Sequence, residues 1–232
     1  MRLVYLQHVD AEDLANIEPW ATAKGFAIRG VPMHRGGVLP DVQDLDWLVV
    51  MGGPMNIHEH DAHPWLVSEK AFIRACIEVG KTVVGVCLGG QLIADVLGGP
   101  VTRNEYKEIG WWPVNLTDEG AALPLFEGFP KEFVAFHWHG DTFATPPGAV
   151  RVIESEGCAN QAYLYGDRVL GLQFHLEEST AAVDQLLKHF EHEMTPGRYV
   201  QSPEQVREGQ LYIPAMNKLL YKMLDGLFAS NR

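Results

Sequence analysis

Cysteine is scarce in this chain: three residues in 232, Cys76, Cys87 and Cys158, with no CxxC pair among them. That excludes a disulfide scaffold and a cysteine-built zinc site, and points to a reducing compartment. Positive charge is thin as well. Eighteen Lys and Arg stand against thirty Asp and Glu, a net −12, and the basic residues are scattered, so no nucleic-acid footprint is present. No apolar run approaches the length of a membrane span. The opening MRLVYLQHVD lacks the basic segment and apolar core of a signal peptide. We therefore expect a cytoplasmic protein with neither nucleic-acid nor membrane partners. Repeats, low-complexity segments and linkers are absent too, so residues 1–232 read as a single domain with a C-terminal helical appendage over about 195–232. With 47% hydrophobic residues, such a chain can bury a sizeable core without staples.

What is present alternates short apolar runs with longer amphipathic ones. Strands are expected at 3–7, 26–31, 45–51 and 81–86, and helices at 10–24, 65–79 and 88–97. That order belongs to an open, mostly parallel sheet with helices on both faces, the flavodoxin-like α/β arrangement. The run LDWLVVM is apolar on both faces and belongs at the sheet centre. The second half changes texture, with strands at 111–116, 133–137, 151–155, 161–165 and 169–174 forming an additional small antiparallel region. A helix follows over about 178–193. A last helix opens at Ser202, where Ser202 can cap, Pro203 suits the first turn and Gln205 can reach back.

Three motifs carry chemistry. In Gly85-Val86-Cys87-Leu88-Gly89-Gly90-Gln91 a buried strand runs into a cysteine, then glycines, then a helix. A nucleophile at such a turn needs a strained backbone and small neighbours. The helix start aims the Leu88 N–H at a developing oxyanion and is expected to lower the thiol pKa. A plain buried cysteine fits the same local pattern, and Cys76 and Cys158 are read that way. In Leu172-Gln173-Phe174-His175-Leu176-Glu177 the imidazole and carboxylate stand two residues apart at a strand end, so both leave on one face. Glu177 can orient His175, which takes the thiol proton and returns it to a leaving amine. In Met51-Gly52-Gly53-Pro54 the paired glycines let backbone approach a ligand, with the Gly53 N–H as second oxyanion donor. Each motif sits at the carboxyl end of an expected strand, where open α/β sheets place their sites.

The pieces GGPMN, GVCLGGQ, HWHGD and QFHLE, in that order, resemble the class I (triad) glutamine amidotransferases, most closely the amidotransferase part of GMP synthetase. The resemblance implies that Cys87 attacks the glutamine side-chain amide to form a γ-glutamyl thioester and release ammonia. It makes His175 the acid and base, Glu177 its partner, and Gly53 and Leu88 the oxyanion donors. Gly52, Gln91, Trp138, His139, Gly140 and Asp141 would hold the substrate, Trp138 standing where many members have Ser. It implies neither cofactor nor metal. An SGGxDS-like motif of an ATP-pyrophosphatase domain is absent from these residues, so the ammonia is expected to reach a separate synthetase subunit or to be released.

Two other readings stay open: a γ-glutamyl peptidase or hydrolase using the same triad on a larger γ-glutamyl compound, and a non-catalytic module on the same fold. His58, His60 and His63 read as a solvated or lid loop rather than a metal site. Tyr106, Trp111, Trp112, Phe136 and Trp138 read as core before pocket wall, and His8 as a structural histidine.

Overall fold

The computed structural model of the chain describes residues 1–230. Its first half runs β1 (Arg2–Gln7), α1 (Ile17–Ala23), β2 (Ala27–Pro32), β3 (Trp47–Val50), α2 (Trp65–Glu78), β4 (Thr82–Val86) and α3 (Leu88–Val96). Then come β5 (Val101–Leu116), α4 (Asp118–Ala121), β6 (Glu132–Phe143), β7 (Ala149–Glu154), β8 (Ala162–Tyr165) and β9 (Val169–Leu172). The chain closes with α5 (Thr180–Phe190), β10 (Tyr199–Val200), α6 (Pro203–Glu208) and α7 (Ile213–Ser230).

Strand order is β10-β5-β7-β8-β9-β4-β3-β1-β2, with β6 paired to β5. The β2-β1-β3-β4-β9 stretch is parallel throughout, and β9-β8-β7-β5-β6 is antiparallel. This is the mixed α/β architecture expected from the pattern. Alternation along the strands explains its two cores. Trp47 and Val49 of β3 face the core shared with Trp20, Leu186, Val206 and α7, which contributes Met216, Leu220, Leu224 and Leu227. Leu48 and Val50 face the other, built with Leu66 and Ile73 of α2 and Leu92 and Ile93 of α3. Both faces are therefore covered, as continuous apolar strands require.

Register decides where the site lies. Val50 of β3 pairs with Gly85 of β4, and Val86 of β4 with Leu172 of β9. The segments that follow, Met51-Gly52-Gly53, Cys87 and Gln173–Glu177, thus leave the sheet side by side at one edge.

Four expected boundaries change. The helix expected over 10–24 begins only at Ile17, because Asp13 Oδ1 accepts from the Ala15 N–H at 2.8 Å and Ala15 takes a φ of 41°, a local turn that competes with the helix. The strand expected to reach Phe174 stops at Leu172, and His175 is held instead by an isolated antiparallel bridge to Phe136, its N–H donating to the Phe136 carbonyl at 2.8 Å. The strands at 111–116 and 133–137 extend into one long hairpin whose register shifts between Arg103 and Glu108. The last helix, capped by Ser202 and Gln205 as expected, breaks at Gly209–Tyr212. There the Gly209 backbone lies so close to Trp111 that a Cβ would fall 1.9 Å from its ring. No helix among the described residues is long and apolar enough to cross a membrane.

Candidate active site

Cys87 ends β4 and precedes α3 with φ 51° and ψ −109°, a conformation that costs a side chain on the order of 1–3 kcal/mol. Its neighbours allow it. A Cβ on Gly89 would sit 1.9 Å from the Val50 carbonyl oxygen, and one on Gly85 would sit 2.5 Å from Gly89. Only glycines let α3 start this close to β3 and β4. The turn is fastened by the Cys87 N–H, which donates to the Leu172 carbonyl at 2.8 Å.

Cys87 is 8% exposed, and the His175 imidazole stands close enough to its thiol for each group to shift the other's proton affinity. Two further polar contacts reach the sulfur: the Trp138 carbonyl and the Gln173 Nε2, each at 3.7 Å. On the far side of the ring, His175 Nδ1 donates to Glu177 Oε1 at 2.6 Å, and Glu177 Oε2 accepts the Leu176 N–H at 3.0 Å. Glu178 lies 3.5 Å from the same nitrogen. Because Nδ1 is committed to a carboxylate, Nε2 is the nitrogen turned to the sulfur.

Burial shapes the charges. It opposes the charged form of His175, yet the Glu177 charge and the Cys87 contact lift this imidazole well above its usual value of 6.5. Burial lifts the Cys87 thiol, outweighing the lowering by His175 and the Leu88 N–H. The lowered thiol expected from the helix start is therefore corrected: desolvation of the thiolate exceeds the helix-end attraction. Glu178 is pushed well up by burial and by the Glu177 charge beside it.

Cys87 and His175 open onto a cleft of about 140 Å³ whose wall also holds Gly53, Leu88, Gln91, Trp138 and the Gly140-Asp141 stretch of β6. Of the residues singled out from sequence, Gly52 and Glu177 lie off this wall. The Gly52 carbonyl is turned to His8 at 2.8 Å, and Glu177 stands behind His175. Gln91 is braced beneath the cleft, its Nε2 donating to Gln173 Oε1 at 3.1 Å. His139 touches the cleft but its ring is anchored inward: Nδ1 donates to the Asp141 carbonyl at 3.0 Å, and Nε2 lies 2.9 Å from Glu108 Oε2. Asp141 accepts from Asn56 Nδ2 at 2.7 Å and pairs with Arg103 at 3.4 Å.

Sequence reasoning missed several wall residues. Glu12 comes from the loop misread as helix, and its carboxylate lies over Gly52 so closely that a Cβ there would meet Oε2 at 1.9 Å. Among the described residues this carboxylate has no hydrogen-bond or ion-pair partner. Burial raises its pKa, against the nearby charges of His175 and His8. Lys107 reaches the wall because the hairpin register shifts there, and its Nζ donates to the Glu193 carbonyl at 2.9 Å. No local motif marks Glu12 or Lys107. Gln173 and Glu178 sat in and beside the QFHLE segment.

Two side-chain sets bring ligand atoms within 4.8 Å of one another, Glu108 with His137 and His139, and His175 with Glu177 and Glu178. In the first, Glu108 already accepts from Ser155 at 2.8 Å and Gln161 at 2.7 Å. Burial opposes its charge, but the His139 bond and the two histidines draw this carboxyl down to about 2, and burial draws His137 down to about 4. Both sets are hydrogen-bonded networks already. His58, His60 and His63 form no such set among the described residues. Of the aromatics, Trp111 and Phe136 pack in the core with ring centroids 4.8 Å apart, while Trp138 lines the cleft.

Residues 29–193 match the family described as Glutamine amidotransferase class-I. The glutamine amidotransferase-like protein YfeJ of Salmonella typhimurium is 32% identical, over 98% of this chain and 97% of its own length. A glutamine-hydrolyzing GMP synthase subunit of Saccharolobus solfataricus is 30% identical, over 66% of this chain and 77% of its own. Among solved structures, a glutamine amido transferase from Methylobacillus flagellatus superposes with a TM-score of 0.91 at 29% identity, covering 98% of this chain and 94% of that one.

Proposed function

Since the chain belongs to the class I glutamine amidotransferases, we propose that it hydrolyses the side-chain amide of glutamine through a γ-glutamyl thioester on Cys87. The observation that carries this reading is the alignment of three side chains: the Cys87 thiol beside the His175 imidazole, and the imidazole bonded to the Glu177 carboxylate at 2.6 Å. His175 Nε2 takes the thiol proton as the sulfur attacks the amide carbon. Charge then gathers on the carbonyl oxygen, which receives the N–H groups of Gly53 and Leu88. His175 returns the proton to the nitrogen, the C–N bond breaks and ammonia leaves. Water next attacks the thioester, giving its proton to His175, and glutamate departs as Cys87 regains a proton. Glu177 fixes the ring and balances its positive charge throughout.

Gln91, Trp138, Gly140 and Asp141 shape the cleft that receives the glutamyl group, with His139 anchoring this part of β6 from behind. Relatives named for glutamine hydrolysis, one of them part of a synthase, support glutamine as substrate and, for partner, a separate synthetase that accepts the ammonia.

The test compares ammonia release from free glutamine with cleavage of γ-glutamyl dipeptides. Glutamine hydrolysis that vanishes in Cys87→Ala and falls roughly 10²–10⁴-fold in Glu177→Gln is the expected result. Activity on dipeptides alone makes the protein a γ-glutamyl peptidase. Hydrolysis that survives in Cys87→Ala sinks the mechanism.

A further inference from the structure

His8 is buried, as a structural histidine should be, but its contacts tie it to the chemistry. It follows β1, is 0% exposed, and stacks on Trp65 with ring centroids 5.4 Å apart. Both ring nitrogens are engaged: Nδ1 lies 2.8 Å from the Gly52 carbonyl oxygen and Nε2 lies 2.9 Å from Glu69 Oε1, itself fully buried on α2. A carbonyl oxygen and a carboxylate can only accept. With Glu69 ionised, each ring nitrogen carries a proton, and the ring is an imidazolium paired with that carboxylate.

The peptide that this cation grips is the one that matters. In a planar trans peptide the C=O of one residue and the N–H of the next point in opposite directions. With the Gly52 carbonyl drawn to His8, the Gly53 N–H faces away from His8, and Gly53 lies on the cleft wall beside Cys87 and Leu88. The fit leaves no slack: a Cβ on Gly53 would meet His8 Cβ at 2.9 Å and Leu88 Cδ2 at 3.0 Å. A charge on one end of the peptide also polarises the other, strengthening the N–H as a donor.

We propose that His8, charged and held by Glu69, is a positioning residue that fixes the Gly52–Gly53 peptide so that the Gly53 N–H is presented to the oxyanion formed at Cys87. This rests on the amide-hydrolase reading of the site. Charges facing His8 come from Glu69 on α2 and from Glu12 in the β1–α1 loop, and both favour the imidazolium.

The test has two arms on the full chain. Long-range ¹⁵N NMR of the His8 ring at pH 8 should show protons on both nitrogens in the wild type and one fewer in Glu69→Gln. A wild-type ring with a single proton, the other residing on Glu69, overturns the arrangement. In the second arm, Glu69→Gln and His8→Asn, which keeps a donor for the Gly52 carbonyl but no charge, are compared on a γ-glutamyl amide and on iodoacetamide. Removing an oxyanion donor costs about 10²–10³ in kcat. A donor kept but less well aimed should cost roughly 10–100-fold, with KM changed less than about threefold. Iodoacetamide is displaced at a saturated carbon and builds no oxyanion, so alkylation of Cys87 should proceed at the wild-type rate. An unchanged kcat, or alkylation that falls in step with kcat, refutes the positioning role. A wild type that is alkylated yet hydrolyses no γ-glutamyl amide fails the functional reading itself, and the ring protonation still decides the His8 arrangement.

Discussion

Replacing Cys87 by glycine should stabilise the protein relative to Cys87→Ala, reversing the usual order of these two residues. The reason is the backbone at this position, with φ 51° and ψ −109°. Alanine keeps a Cβ in that conformation and so retains strain of about 1–3 kcal/mol, which glycine relieves. Against this, glycine leaves the unfolded chain with more freedom, at a cost of about 0.4–1 kcal/mol. Both variants lose the sulfur and its contacts, so those terms cancel in the comparison. The balance favours glycine by up to about 2.6 kcal/mol, about 1 at mid-range, and in a chain of this size each kcal/mol moves Tm by roughly 2–4 °C. Calorimetry or urea unfolding of the two variants would read this directly. An alanine variant that melts at or above the glycine variant would show that the elbow stores no strain and that its geometry is set by something other than a forced nucleophile.

Two further outcomes follow from the buried charges. The Glu12 carboxylate raises the Cys87 pKa, so Glu12→Gln should shift the pH midpoint of Cys87 alkylation downward; an unmoved midpoint would mean its charge is not felt at the sulfur. Glu108 sits at about 2 against 4.5 unfolded, and His137 at about 4 against 6.5, so both native values are depressed and both contributions are present at high pH and lost in acid. Stability should fall as pH drops from about 6.5 toward 4, by on the order of 3 kcal/mol for His137 alone, and again from about 4.5 toward 2. Urea midpoints that do not change between pH 7 and pH 4 would refute this.

The parallel sheet was legible because its strands are short, apolar on both faces and bounded by glycine, and LDWLVVM and KTVVGV were placed within a residue or two. The elbow was legible for a related reason: GVCLGG is the same set of small residues that the packing of α3 on β3 demands. What escaped notice depends on contacts made across the chain. Glu12 lies on a loop that reads as helix until Ala15 adopts positive φ, and nothing in ten residues of sequence shows that the loop folds over Gly52. Lys107 and Glu108 belong to a polar stretch, NEYKE, that spans the register shift in the pairing with β6 and meets β10 at Glu108, and the shift sends Lys107 to the cleft and Glu108 inward. Hairpins of this length are built by the partner strand, and local propensity says little about them.

The thiol shows how a correct local rule can lose to a tertiary term. Attraction at a helix start amounts to about 0.3–1 kcal/mol, up to about 2 when partly buried. A single pKa unit is 1.36 kcal/mol, and full burial can move a group by several units. Cys87 is nearly inaccessible, so desolvation wins and raises the thiol, while the Glu177 charge and the Cys87 contact raise His175 against its own burial. A raised thiol pKa lowers the thiolate fraction open to indiscriminate alkylation and oxidation. On the proposed mechanism the sulfur's attack is tied to what enters the cleft, because the S–C bond forms only as the carbonyl π electrons move onto an oxygen facing the Gly53 and Leu88 N–H groups.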